Sequence, residues 1–335
     1  MGQYWNIINI DKKKGTGDLG KLGVFFNDEE TNHWVGSLLR PLRALPPMPW
    51  LSPDNGGYCA SPPANCAPLL RLPPELLYII GKHLECVEDR ISFAATCHVL
   101  WAALAPILAP WFEHATWAGC RIMCLGDYMR DLPSDTLLSH IEHAELVQCG
   151  TQHDHSTEHG HSPEGEPQPA RLFDYAYQHY GRARDNRKEL GYTGTWRLDL
   201  QGAPHAALRQ VLLVYPLRSG KPLVLRNLSK KVYVRSGAVD VLNKQLFAQD
   251  AEAGIANKEQ GVGYCLGDAL VCRICWSSDP SCAMWEPPED LTRGPWAGDR
   301  FDVITQDEFG EKEDYDEWED ASREVCEVLR QCWRK

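Results

Sequence analysis

Residues 72–104 read LPPELLYIIGKHLECVEDRISFAATCHVLWAAL. Pro74 suits the first turn of a helix, where its missing N–H costs nothing. Glu75 suits the positive end of the helix dipole. Leu76, Ile79, Ile80, His83 and Leu84 then recur at helical spacing and define one apolar face. Asp89 is placed to cap a second helix, with Ile91, Phe93 and Ala94 turned inward. Thr96-Cys97-His98 reads as a bend, and Val99, Leu100, Trp101 and Leu104 give a third apolar face, with Pro106 and Pro110 expected to shorten its end. Three short helices in so few residues bury little apolar surface alone, so the unit must lean on its own chain or on a partner.

Working outward, residues 4–10 (YWNIINI) and 22–26 read as short strands, as do 117–128, 211–215, 222–226, 231–235 and 268–276. Residues 41–68 are rich in Pro and Gly and read as an irregular connection. Residues 150–170 carry almost no large apolar side chains and read as a disordered linker. The chain closes on an acidic helix with Val325, Leu329 and Trp333 on one face.

An echo crosses the linker. Asn9-Ile10-Asp11-Lys12-Lys13 resembles Asn227-Leu228-Ser229-Lys230-Lys231, and Trp117-Ala118-Gly119-Cys120-Arg121-Ile122 resembles Trp296-Ala297-Gly298-Asp299-Arg300-Phe301. The motifs keep their order in both halves. Asn9 lies 108 residues before Trp117, but Asn227 only 69 before Trp296. The excess matches the helical segment in length. The expected architecture is therefore α+β: a β-rich module present twice, with a three-helix unit inserted in the first copy. The expected boundaries are 1–45 and 114–149 for copy one, 46–68 for the irregular connection, 69–113 for the helical unit, 150–170 for the linker and 171–335 for copy two.

The helical segment resembles an F-box. The resemblance rests on Leu72, Pro73, Glu75, Leu76, Ile79, Ile80, Leu84, Asp89, Ala94, Thr96, Cys97, Leu100 and Trp101. It implies docking on the Skp-type adaptor of an SCF ubiquitin ligase through Leu72, Pro73, Pro74, Glu75, Leu76, Ile79, Ile80, Leu84, Leu100 and Trp101, with Leu and Trp as anchors. The MGQYW start, the Asn-Ile-Asp-Lys-Lys element, Lys21-Leu22-Gly23 and the Trp-Ala-Gly-x-Arg motif resemble a group of fungal F-box-like proteins. Within that resemblance Cys120 replaces the more usual acidic residue, which Asp299 keeps.

The implied function is a substrate receptor that recruits a target protein for ubiquitin transfer, with no catalytic residue and no cofactor of its own. The rival is a small-ligand-binding protein or enzyme built on a pocket at Trp296, Asp299 and Arg300, where Arg clamps an anion and Trp offers a flat wall. Against the rival stands a plain turn into a buried strand, with Arg300 paired to a local acid.

A net charge of -12 argues against nucleic-acid backbone binding. Asp299 to Glu324 holds much of the acidity and reads as a solvated face. No stretch reaches the ~18 apolar residues of a membrane span. The start shows no secretory pattern, and Asn6 stands where a myristoylation signal wants Ser or Thr. The expected location is the cytoplasm or nucleus, which fits 13 cysteines read as reduced thiols. Cys265, Cys272, Cys275 and Cys282 have zinc-like spacing, but on a strand the middle pair would point to opposite faces, so no metal is expected there. His153, His155, His159 and His161 read as part of a solvated linker rather than a metal site.

Overall fold

The computed structural model describes residues 2–16, 20–26, 39, 41, 68–85, 87–94, 96–132, 138–153, 170–182, 221–254, 263–282, 288, 290–311 and 315–333. The expected strand at 211–215 and most of the connection at 41–68 lie outside these residues. The fold is mixed α+β. The chain divides into two compact units, one of Met1–Val35, Ala118–Ala183 and Pro222–Lys335, the other of Gly36–Trp117 and Arg184–Lys221.

The larger unit opens with β1 (Trp5–Asn9), β2 (Lys14–Gly15) and a single helical turn, α1 (Leu22–Phe25). The expected strand at 22–26 is thus corrected: Phe26 N–H bonds back to the Leu22 carbonyl at 3.2 Å, a helical closure rather than a ladder bond.

In the smaller unit a 3-10 turn (Pro68–Arg71) leads into α2 (Pro74–His83), α3 (Val87–Ala94) and α4 (His98–Ala115). Among the described residues of these three helices, Leu77, Ile91, Ala94, Leu100, Trp101, Leu104 and Leu108 are the buried side chains. A Cβ placed on Gly81 would sit 2.6 Å from Leu104 Cδ2, so α2 approaches α4 as closely as only glycine allows. Arg90 Nε donates to the Leu84 carbonyl at 2.8 Å and closes the α2–α3 corner.

Two expectations are corrected here. Asp89 lies inside the first turn of α3 instead of capping it, where its charge still suits the dipole. Pro106 and Pro110 do not shorten α4, which runs through both. Each proline frees the carbonyl four residues earlier, and Ala102, Pro106 and Pro110 are all exposed, so water can serve those carbonyls.

The larger unit resumes with β3 (Ile122–Gly126), α5 (His140–His153), α6 (Leu172–His179), β4 (Gly181–Arg182), β5 (Leu223–Asn227) and β6 (Val232–Arg235). Then come α7 (Ser236–Glu252), α8 (Leu266–Ile274), β7 (Cys275–Trp276), β8 (Phe301–Thr305), α9 (Gln306–Gly310), β9 (Glu319–Asp320) and α10 (Ser322–Cys332). One sheet has the order β4-β2-β1-β3-β7, the other β8-β5-β6-β9.

The expected linker and second-copy boundaries are corrected as well. Helix α5 extends through His153, and β4 pairs in parallel with β2 of the first sheet. Leu172, Ala176 and Tyr180 bury into one cluster with Ile8, Met123 and Leu125, which binds α6 to that sheet.

The expected strand at 268–276 is also wrong for most of its length: 266–274 is helix α8, and only Cys275–Trp276 is strand. All nine residues of α8 are buried, and the helix packs on β3 of one sheet and on β5 and β6 of the other. With even Asp268 and Arg273 buried, the helix shows no solvent face, and its short apolar run Ala269–Cys272 suits a buried strand equally well. Its start is a capping box: Cys265 Sγ accepts from Gly267 N–H at 3.2 Å, and Cys265 N–H donates to Asp268 at 2.7 Å.

The two sheets repeat one pairing scheme. In the first, β1 and β3 run antiparallel from Trp5 opposite Gly126 to Asn9 opposite Ile122. In the second, β5 and β8 run antiparallel from Leu223 opposite Thr305 to Asn227 opposite Phe301. Each continues into a tight turn closed by a lysine in left-handed conformation, Lys13 at φ 48° and Lys231 at φ 53°. A short parallel edge strand flanks each, β4 on β2 and β9 on β6, and the first sheet alone adds β7 beside β3.

Candidate functional site

Two places hold the residues singled out by sequence. The first is the outer face of α2. Leu77 and Gly81 point into the helical unit's core, while Leu76 is 45% and Ile79 47% exposed. Leu72, Ile80 and Leu84 are half-buried, and Pro73, Pro74 and Glu75 are exposed. Sequence reasoning missed Leu69, in the 3-10 turn before the helix, which is also exposed. The spacing of Leu72, Leu76, Ile79 and Ile80 puts them along one stripe, distinct from the stripe that faces α4. Leu100 and Trp101 do not join them: they are 2% and 7% exposed, so as anchors for a partner they are corrected to core residues.

The second place is where the Asn-Lys-Lys turns meet the Ala-Gly-x-Arg turns. Asn227 Oδ1 accepts from the N–H groups of Ser229 and Lys230 at 3.0 and 3.1 Å, and Asn9 Oδ1 accepts from Lys12 N–H at 2.9 Å. These side-chain bonds hold the turns in place. Ile10 N–H reaches the Arg121 carbonyl at 3.0 Å, and Leu228 N–H reaches that of Arg300 at 2.7 Å. Arg121 N–H is received by Asp11 at 2.9 Å, and Arg300 N–H by Ser229 at 3.0 Å.

The two junctions also bond to each other reciprocally. Gly119 N–H donates to the Phe301 carbonyl at 2.7 Å, and Gly298 N–H to that of Ile122 at 2.9 Å. Arg121 and Arg300 face each other as an isolated antiparallel bridge between them. Both glycines have positive φ, 75° and 82°, which a side chain would strain.

The junctions also part at the residue after each glycine. Asn227 Nδ2 donates to Asp299 at 2.8 Å. In the first junction Cys120 occupies the matching position, and the fully buried Asn9 Nδ2 finds no partner among the described residues. Burial raises the Asp299 carboxyl above its ordinary value, opposed by the Asn227 bond and by Lys230.

Asp11 shows the reverse balance. Burial acts to raise its pKa, but the Arg121 backbone and guanidinium and the Arg300 charge outweigh it and hold the carboxyl low. Arg300 Nη1 lies 2.8 Å from Asp11 and 2.7 Å from the Gly119 carbonyl. Trp296 is buried, with the Arg273 guanidinium 5.4 Å above its ring and the Phe301 ring 6.2 Å away. Trp296 thus presents no open wall, and Arg300 is engaged with a local acid.

The four cysteines of zinc-like spacing each have separate occupations. Cys265 caps α8, Cys272 Sγ donates to the Ala269 carbonyl and Cys275 Sγ to that of Val271, while Cys282 is buried. Cys272 lies on helix α8 and only Cys275 on a strand, so the two thiols are not the strand pair expected from sequence. Among the described residues no group of three or more His, Cys, Asp or Glu is placed to hold a metal. His153 ends α5, and His155, His159 and His161 lie outside the described residues. Among those residues no helix is long and apolar enough to cross a membrane. No protein-family model, curated protein or solved structure matches the chain.

Proposed function

We propose that the chain is an F-box-type substrate receptor. Its helical unit docks on the Skp-type adaptor of a cullin ubiquitin ligase, and its β-rich body recruits a target protein. The observation that carries this reading is the outer stripe of α2: Leu76 and Ile79 stay exposed, while Leu77 and Gly81 on the inner stripe are committed to the unit's own packing. An apolar stripe left over after the core is complete is what a partner helix or groove covers. Full burial contributes roughly 1.5–3 kcal/mol for each such side chain. The anchors are Leu69, Leu72, Leu76, Ile79 and Ile80.

The body is proposed to be two copies of one module, a reading supported by the shared strand register and the matched turns. Transfer chemistry belongs to the partner subunits, and the receptor acts by raising the effective concentration of the target at the ligase, in the cytoplasm or nucleus. The pocket reading at Trp296, Asp299 and Arg300 gains no support, because Trp296 is covered and Arg300 is engaged.

Pull-down with purified adaptor tests the proposal. Wild-type chain binds, and Leu76→Asp with Ile79→Asp abolishes binding while circular dichroism stays unchanged. Failure of the folded wild type to bind overturns the reading.

A further inference from the structure

Away from both places, one contact joins groups that the sequence keeps 30 residues apart. Cys149, half-buried in α5, brings its Sγ within 3.8 Å of Nε2 of the exposed His179, in the last turn of α6. The imidazole also packs against a tyrosine. Its ring lies 4.8 Å from that of Tyr175. Tyr175 donates its hydroxyl to Glu145 at 3.1 Å, and Glu145 in turn binds Lys13 Nζ at 2.7 Å.

Most other described thiols are disposed differently. Cys120, Cys124, Cys272, Cys275, Cys282 and Cys332 are buried. Burial pushes the Cys272 and Cys275 thiols well up, and that of Cys332 to about 12. Burial raises Cys265 and Cys326 too, and Cys265 is engaged as a helix cap. Accessibility and an adjacent base coincide at Cys149. Reactive thiols are those that can form a thiolate in reach of solvent.

We infer that Cys149 is a modification site that takes up a low-molecular-weight disulfide, with His179 receiving the thiol proton. The Cys149 sulfur attacks one sulfur of the small disulfide. Its S–S bond breaks, a mixed disulfide forms on Cys149, and the released thiolate takes the proton from His179. Oxidant and leaving group both come from the small disulfide, so the exchange balances. The adduct would stand between α5 and α6, beside the Tyr175–Glu145–Lys13 chain that ties both helices to the first sheet.

The full chain is mixed with glutathione disulfide, and initial rates are read residue by residue by mass spectrometry, with half-buried Cys97 as the internal reference. Cys149 is expected to acquire the adduct faster than Cys97. His179→Phe keeps a ring against Tyr175 but removes both nitrogens, and His179→Gln keeps polarity without the base. Each is expected to slow Cys149 about tenfold while leaving Cys97 unchanged. A wild-type Cys149 no faster than Cys97, or an unchanged Cys149 rate in both variants, overturns the inference.

Discussion

At the same register position the two sheets make opposite choices. In the first, Ile8 stands opposite Met123, both fully buried. In the second, Arg226 stands opposite Asp302, also buried, in a two-pronged ion pair at 2.8 and 2.6 Å. The Arg226 guanidinium also lies 5.0 Å from the Trp318 ring and 5.7 Å from that of Phe309. One backbone frame thus tolerates an apolar pair or a charged one, provided the charged pair is complete. Strand pairing and turn geometry therefore specify this frame, while the cross-strand pair only has to be self-consistent.

The largest effect should come from breaking that consistency. Arg226→Met alone or Asp302→Ala alone leaves one buried charge without its partner and should cost about 3–5 kcal/mol in urea denaturation. Arg226→Ile with Asp302→Met copies the first sheet and should recover most of that loss. A double variant as unstable as either single one would show that the two frames are not interchangeable.

A smaller effect separates the junctions. Asp299→Ala should cost about 1–3 kcal/mol by orphaning buried Asn227 Nδ2, as Asn9 Nδ2 already is. Cys120→Asp gives Asn9 the missing acceptor and should raise stability by up to about 1 kcal/mol. If Cys120→Asp destabilises, the cost of burying its carboxylate outweighs the bond gained.

The acid limb sharpens the contrast between Asp11 and its counterpart Ser229. Asp11 titrates below its ordinary 3.8 in the folded chain. Its contribution is therefore present above that value and is lost as pH falls through the lower folded value. Asp11→Ser should flatten the fall of the urea midpoint below about pH 4, since Asp11 no longer contributes there. An unchanged slope would assign acid sensitivity to other carboxylates.

The smallest effect belongs to the turn lysines. Lys13→Gly and Lys231→Gly relieve a left-handed φ but lose the ion pairs of Lys13 with Glu145 and Lys231 with Glu317. The net gain should be about 0.5 kcal/mol or less, and equal at the two sites if the frames are equivalent.

What could be read from sequence follows from this chemistry. Asn9 and Asn227, and Gly119 and Gly298, do work that few other residues can do, so the echo is visible in letters. The strands between them, WNIIN and LVLRN, share little beyond apolar character because many side chains suit a buried ladder. Helix α8 was illegible because its apolar run Ala269–Cys272 is short enough to suit a strand and its cap is a cysteine rather than Ser or Asp. Strands β4 and β7, of two residues each, are too short to carry a pattern. On α2 the spacing correctly separated Leu76 and Ile79 from polar positions, but only the packing of Gly81 on Leu104 tells which apolar stripe faces out. Cys149 and His179 come together across a segment with no helical or strand signal, so nothing local announced them.

The matched junctions also set the entropic cost of the inserted helices. The bond from Arg121 to Asp11 closes a span of 110 residues, and the corresponding bond from Arg300 to Ser229 closes 71. Loop-closure entropy grows only with the logarithm of span, so this difference amounts to about 0.4 kcal/mol. That is less than one ordinary hydrogen bond contributes. A whole helical unit can thus interrupt the chain between Asp11 and Arg121 at almost no cost to the register of the strands on either side, and replacing it with another compact unit should leave that register intact.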